Sequence, residues 1–176
     1  MKTSSGMGLA LARIGFGCYF LSQAWDKTTH GWFTDAGPLT SFLKGSLPKA
    51  ESFYQPFIEQ IVLPNAGLFA QLATLGEWVV GFSLVLGLFT RVGALIALNL
   101  NLNFMLIKGL TSAGGSIDRL FFLTCLAFLL ASAGLAFGLD GVISRALGRI
   151  PVIGWFAGGR TEPRRAPAIY SIPARA

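Results

Sequence analysis

Charge is scarce in this chain: only 12% of its 176 residues are Asp, Glu, Lys or Arg, against roughly 25% in a soluble domain. With 53% hydrophobic residues and a mean hydropathy of +0.61, that deficit excludes an ordinary water-soluble globule. Histidine is scarcer still. His30 is the only one, so bis-histidine haem ligation within one chain is excluded. The two cysteines, Cys18 and Cys125, sit on different apolar segments without C-x-x-C spacing, which excludes a cluster or structural zinc site. They read as small buried hydrophobes, with a disulfide the lesser alternative. No Gly-rich phosphate loop, nucleophile triad or EF-hand pattern occurs, and no internal repeat or interrupted helix points to a transporter. Neither metal nor haem is expected.

What the chain has in quantity is long apolar runs. Four segments, 7–25, 66–89, 92–107 and 120–137, have the roughly 17 to 25 residues needed to cross a hydrocarbon core of about 30 Å, the third being the shortest. The first contains Arg13 and has no small-residue cleavage pattern before Trp25, so it reads as a retained helix rather than a signal peptide. The fold expected is all-α: an integral membrane four-helix bundle spanning 1–145, followed by a basic cytoplasmic tail, 146–176, whose stretch from Gly158 onward is expected to be mobile. With four crossings, Lys2, Arg91 and the arginines of the tail fall on one side, which the positive-inside rule makes cytoplasmic. The chain is then expected in the cytoplasmic (inner) membrane, crossing it several times, with both termini in the cytoplasm. The net charge of +6 is mostly this topology signal, and anionic lipid accounts for the tail better than nucleic acid.

The long outer loop carries apolar residues at helical spacing in its stretch 36–63: Leu39, Phe42, Leu43 and Leu47, then Phe53, Tyr54, Phe57, Ile58 and Ile61. Pro48 separates the two pieces. Both read as interfacial amphipathic helices, which either cover the end of the bundle or form a mouth for a lipid-soluble ligand such as a quinone.

Glu77 is the most informative single residue, because it falls near the middle of an apolar run, where a carboxylate costs a few kcal/mol and needs a partner or a pathway. At about 1.5 Å per residue, Glu77 and Asn103 lie at similar depth, roughly 17 to 18 Å above the inner end. Asn99 is one turn below Asn103 on the same face, while Asn101 points elsewhere. Arg13, about 9 Å up the first helix, is the expected partner of Glu77. Gln71 and Thr74 extend the polar path outward. Two readings are open: an Arg13–Glu77 pair capped by asparagines as interhelical glue, or a pocket in which Glu77 exchanges a proton with a quinone or another small molecule. Gly134 and Gly138 give a G-x-x-x-G spacing, read as internal packing or a partner seam.

The stretches Gly76-Glu77-Trp78-Val79-Val80-Gly81 and Gly87-Leu88-Phe89-Thr90-Arg91-Val92-Gly93-Ala94, with Arg13, Trp25-Asp26-Lys27 and Gly138-Leu139-Asp140-Gly141, resemble the DoxX/DoxD family of four-helix membrane proteins over roughly 7–145. The long outer loop favours the DoxD branch. The resemblance implies a membrane subunit of a thiosulfate:quinone oxidoreductase that works with a DoxA-like partner whose region is not in this sequence. It implies Glu77, Arg13, Lys27 and Trp25 as site residues, and Thr90 and Arg91 as an inner anchor. Expected on this reading are catalytic roles for Glu77 and Arg13, binding roles for Trp25, Lys27, His30, Asn99 and Asn103, quinone as the cofactor, and lipid and other subunits as partners. Lys27 would attract an anionic donor. The other reading is a non-catalytic accessory subunit of a larger respiratory or photosynthetic membrane complex.

Overall fold

A computed structural model describes residues 3–147, with side chains from 6 to 143; the tail expected to be mobile lies almost wholly outside the described residues. These residues are all-α. Helix α1 (Thr3–Thr29) leads through a turn to α2 (Gly37–Ser46) and a 3-10 turn (Leu47–Lys49). A single turn, α3 (Gln55–Phe57), runs through a π turn (Ile58–Val62) and a 3-10 turn (Leu63–Asn65) into α4 (Ala66–Leu86). Then come α5 (Thr90–Lys108), α6 (Ser116–Ala131) and α7 (Leu139–Leu147).

Helices α1, α4, α5 and α6 form the four-helix bundle. Backbone neighbours run α1 to α4, α4 to α5 and α5 to α6, and the ring closes through aromatics of α1 on α6, with Tyr19 and Phe16 centred 4.5 and 4.9 Å from Phe121. Among the described residues, three helices are long and apolar enough to cross a membrane by length and composition, at 55–86, 90–108 and 113–131. Helix α1 has the length, 27 residues, but its polar residues keep it out of that set. One of them, Arg13, is fully buried inside the bundle.

The α1–α4 contact is set by two glycines. A Cβ at Gly17 would lie 2.7 Å from the Val85 amide nitrogen, and one at Gly81 would lie 3.0 Å from the Leu21 nitrogen, so the backbones touch where side chains are missing. That register carries Arg13 down to the level of Gly87. There the Arg13 Nη1 donates to the carbonyls of Ala133 (3.0 Å) and Ala136 (3.4 Å), and Nη2 to Phe137 (3.5 Å). Asp140 accepts from the amides of Phe89 (2.7 Å) and Thr90 (2.9 Å), occupying donors left over at the start of α5. Arg91 donates to the Ser132 hydroxyl at 2.7 Å.

The fourth span differs from expectation. Helix α6 stops at Ala131 because Ser132 takes a left-handed conformation (φ 51), and a 3-10 turn follows. Gly134 and Gly138 therefore belong to this inner knot. A Cβ on Gly134 would overlap Asp140 and Thr90, and one on Gly138 would meet Arg13 at 2.5 Å, so the pair serves internal packing. At the opposite end α2 and the segment 55–65 pack on the bundle, Leu39 and Leu43 joining Ile58, Val62, Ala66, Ala70 and Ile107 in one apolar cluster. The loop between α1 and α4 is a lid whose apolar residues share one cluster with α4 and α5.

Candidate functional site

Under this lid the chain holds two ion pairs, one buried and one part-buried. Lys27, near the end of α1, donates to both oxygens of Glu77 on α4, at 2.6 and 2.7 Å. Lys108, the last residue of α5, pairs with Asp118 in the first turn of α6 at 2.8 Å. Cations suit helix C-termini and anions suit N-termini, so the second pair is favoured by both helix ends. Both pairs line one cavity of about 230 Å³ together with Tyr19, Gln23, Asp26, Asn101 and aromatic walls that include Trp32 and Phe104. The Lys27 ammonium lies 5.4 Å from the centre of Trp32 and 5.6 Å from that of Phe104, and Lys108 lies 5.3 Å from Phe104. Such cation–π contacts suit a desolvated ammonium.

A second cavity of about 340 Å³ adjoins it, and Trp32, Leu100 and Phe104 line both. Its other walls are mostly apolar, among them Leu39, Leu43, Phe57, Phe69 and Ile96. Its polar groups are Tyr54, Asn99 and Asn103. Tyr54 donates its phenolic O–H to the Asn103 side-chain oxygen. Burial pushes the Tyr54 hydroxyl above its ordinary range, so it stays a donor at neutral pH.

The expected site is partly redistributed. Glu77 is buried and paired, but with Lys27 and not with Arg13, which the α1–α4 register holds in the inner knot. Asn99 and Asn103 do share a face, yet it is the face of the apolar cavity. Asn101, expected to point elsewhere, is buried and lines the cavity of Glu77, its Nδ2 donating to the Ala97 carbonyl at 2.7 Å. Trp25 is 62% exposed and packs edge-on against Trp78. His30 is exposed at the rim, 3.2 Å from Asp26. Gln71 donates to the Phe33 carbonyl and Thr74 to that of Ala70, so they tie down backbone rather than extend a path. Cys18 and Cys125 are free thiols, Cys18 exposed on the helix surface and Cys125 buried.

Lys108 and Asp118 were missed by reasoning on depth. The signal available was one basic and one acidic residue flanking the shortest outer turn. Five charged side chains line the Glu77 cavity: Asp26, Lys27, Glu77, Lys108 and Asp118. When all are ionised, carboxylates outnumber ammonium groups, and each ammonium is already engaged. Lys27, expected to attract an anionic donor, thus faces this cavity with its charge already paired to Glu77.

A family model, DoxX, matches residues 8–110. No curated protein and no solved structure matches the chain. The matched region covers α1 through α5 and contains both members of the Lys27–Glu77 pair.

Proposed function

Because the chain belongs to the DoxX family, we propose that this membrane protein is the quinone-binding subunit of an oxidoreductase complex. The observation that carries the reading is the pairing of a small polar cavity holding Lys27 and Glu77 with a larger apolar cavity behind shared Trp32, Leu100 and Phe104 walls. A molecule with a compact neutral head and a long apolar tail matches that division, and an isoprenoid quinone has this shape. Aromatic walls with a few convergent polar groups are the usual make-up of such a site. A bound quinone supplies an acceptor of two electrons and two protons.

Among the described residues, Trp32 and Phe104 offer flat faces for the head, Lys27 offers ammonium protons, and Glu77 holds that ammonium in place and restores its charge balance. The lid of α2 and the segment 55–65 limits water access. Electrons are assigned to a partner subunit of the complex, DoxA-like where the donor is thiosulfate.

The test is saturable binding of decylubiquinone to protein in lipid nanodiscs, read by tryptophan quenching. The double variant Lys27→Met/Glu77→Gln leaves no lone charge behind, and it is expected to weaken binding by roughly tenfold, the worth of about 1.4 kcal/mol. Binding that is absent in the unaltered protein, or unchanged in the variant, overturns the reading.

A second reading, an accessory subunit of a larger respiratory or photosynthetic membrane complex, is favoured by a separate feature. An open apolar groove of about 700 Å³ runs along α4 and the start of α5, lined by Leu75, Val79, Phe82, Phe89 and Val92 among others. Purification from native membranes in a large assembly, without quinone binding, would select it.

A further inference from the structure

The Lys108–Asp118 pair is favoured by the two helix ends it joins, but the turn between them does not depend on it. The turn it spans is closed independently. The Ser112 hydroxyl donates to the Lys108 carbonyl at 2.6 Å and accepts from the Gly115 amide at 3.1 Å. The Arg119 guanidinium holds the carbonyls of Leu110 and Ser112. The Glu51 carboxylate accepts from the Leu110 amide at 2.7 Å and ties the turn to the lid. A buried ion pair adds little net stability, because desolvation offsets its attraction. A further pair at a turn already closed three ways is therefore free to carry a second role.

Its position supplies one. The side chains of Lys108 and Asp118 are 30% and 10% exposed, whereas those of Lys27 and Glu77 are 11% and 4% exposed. Lys108 is thus the most exposed of the four groups along this cavity and Glu77 the most buried, with Asp118 and Lys27 alike between them. Phe104 has a lysine from each pair within 6 Å of its centre, which sets the two ammonium groups about a common wall. The cavity, at about 230 Å³, exceeds the roughly 30 Å³ share of one water in the liquid, so it has room for several waters beside the two pairs that line it. The other titratable groups facing it are Tyr19 and Asp26, both from α1.

We propose that Lys108 and Asp118 form the water-side half of a proton path whose inner half is Lys27 and Glu77. A proton given up by the Lys27 ammonium to a bound acceptor is replaced from Lys108 and Asp118, which regain theirs from outer water. Each transfer leaves the chain unchanged and moves one proton inward; the electrons for a bound quinone come from the partner subunit. The step rests on the proposed function for its purpose, but the path itself is testable without ligand.

Lysine is rare enough to follow atom by atom, since the sequence holds only Lys2, Lys27, Lys44, Lys49 and Lys108. In ligand-free protein labelled with ¹⁵N-lysine in nanodiscs, the exchange of the Lys27 ammonium protons with solvent is read by NMR. Asp118→Asn and Lys108→Met are expected to slow that exchange by roughly a hundredfold, the scale of a positioned proton-transfer group. Asp118→Glu should keep the original rate, and formate, a small diffusible acid, should restore it in Asp118→Asn. Lys108→Met/Asp118→Leu removes both charges, keeps a packed turn and should show the same slowing. Original exchange rates in that double variant and in Asp118→Asn overturn the path. Loss of quinone binding with the slowing intact would instead overturn only the proposed function.

Discussion

At the scale of the residue, the Lys27–Glu77 pair shows how much a sequence reveals of a buried charge. That Glu77 needs a cation follows from its place in an apolar run; which cation it takes follows from helix register, which depth arithmetic does not contain. Arg13 and Lys27 both lie on α1, and the close contacts at Gly17 and Gly81 decide between them. Asn99, Asn101 and Asn103 repeat the lesson. Alternate residues lie about 200° apart around a helix, so Asn101 necessarily faces away from its neighbours, but periodicity alone does not say which face meets Glu77. The pairing has a measurable consequence. Glu77→Leu leaves a buried ammonium without its carboxylate and should cost about 3–5 kcal/mol, whereas Lys27→Met/Glu77→Leu should return most of it. Thermal unfolding of both variants in detergent checks this, and equal losses in the two would mean that the pair contributes no mutual compensation.

At the scale of the element, the four main helices were legible because length and apolarity are properties of continuous segments. Their ends were less so. The start of α5 needs Gly87 in a left-handed conformation (φ 64) and the Asp140 carboxylate on the Phe89 and Thr90 amides, a contact between residues some fifty positions apart. The break after α6 depends on the same knot. The lid was legible as amphipathic helices, but its packing onto Ile107 and Ala70 was not, since a stripe of Leu and Phe serves a membrane surface and a helix bundle equally. Within α1 the glycines separate into classes that sequence does not distinguish. Nothing lies within 4 Å of a Cβ built on Gly15, while Gly17 faces backbone. Gly15→Ala should therefore be neutral or stabilising by up to about 1 kcal/mol. Gly17→Ala should destabilise by about 1–3 kcal/mol through overpacking. Melting temperatures of the two variants moving the same way would contradict the α1–α4 contact.

At the scale of the whole molecule, the polar cavity, its two ion pairs and the lid all lie at one end of the bundle, and the Arg13–Asp140 knot lies at the other. The ends have opposite chemistry. One offers a polar-lined recess under short helices, and the other a close-packed joint in which backbone carbonyls and amides are bound by buried Arg13 and Asp140. A rigid inner joint with an adaptable outer lid is the arrangement expected if ligand enters from the outer leaflet, because the lid can shift without disturbing the helix register below it. Orientation is therefore a functional statement. If the basic flanks lie in the cytoplasm, the proton path opens outward. In a chain with Cys18 and Cys125 replaced, Lys44→Cys on exposed α2 should react with a membrane-impermeant maleimide in intact cells. Leu139→Cys at the knot should react only after permeabilisation. The reverse pattern would turn the cavity to the cytoplasm, so that Lys108 and Asp118 would draw protons from inside the cell.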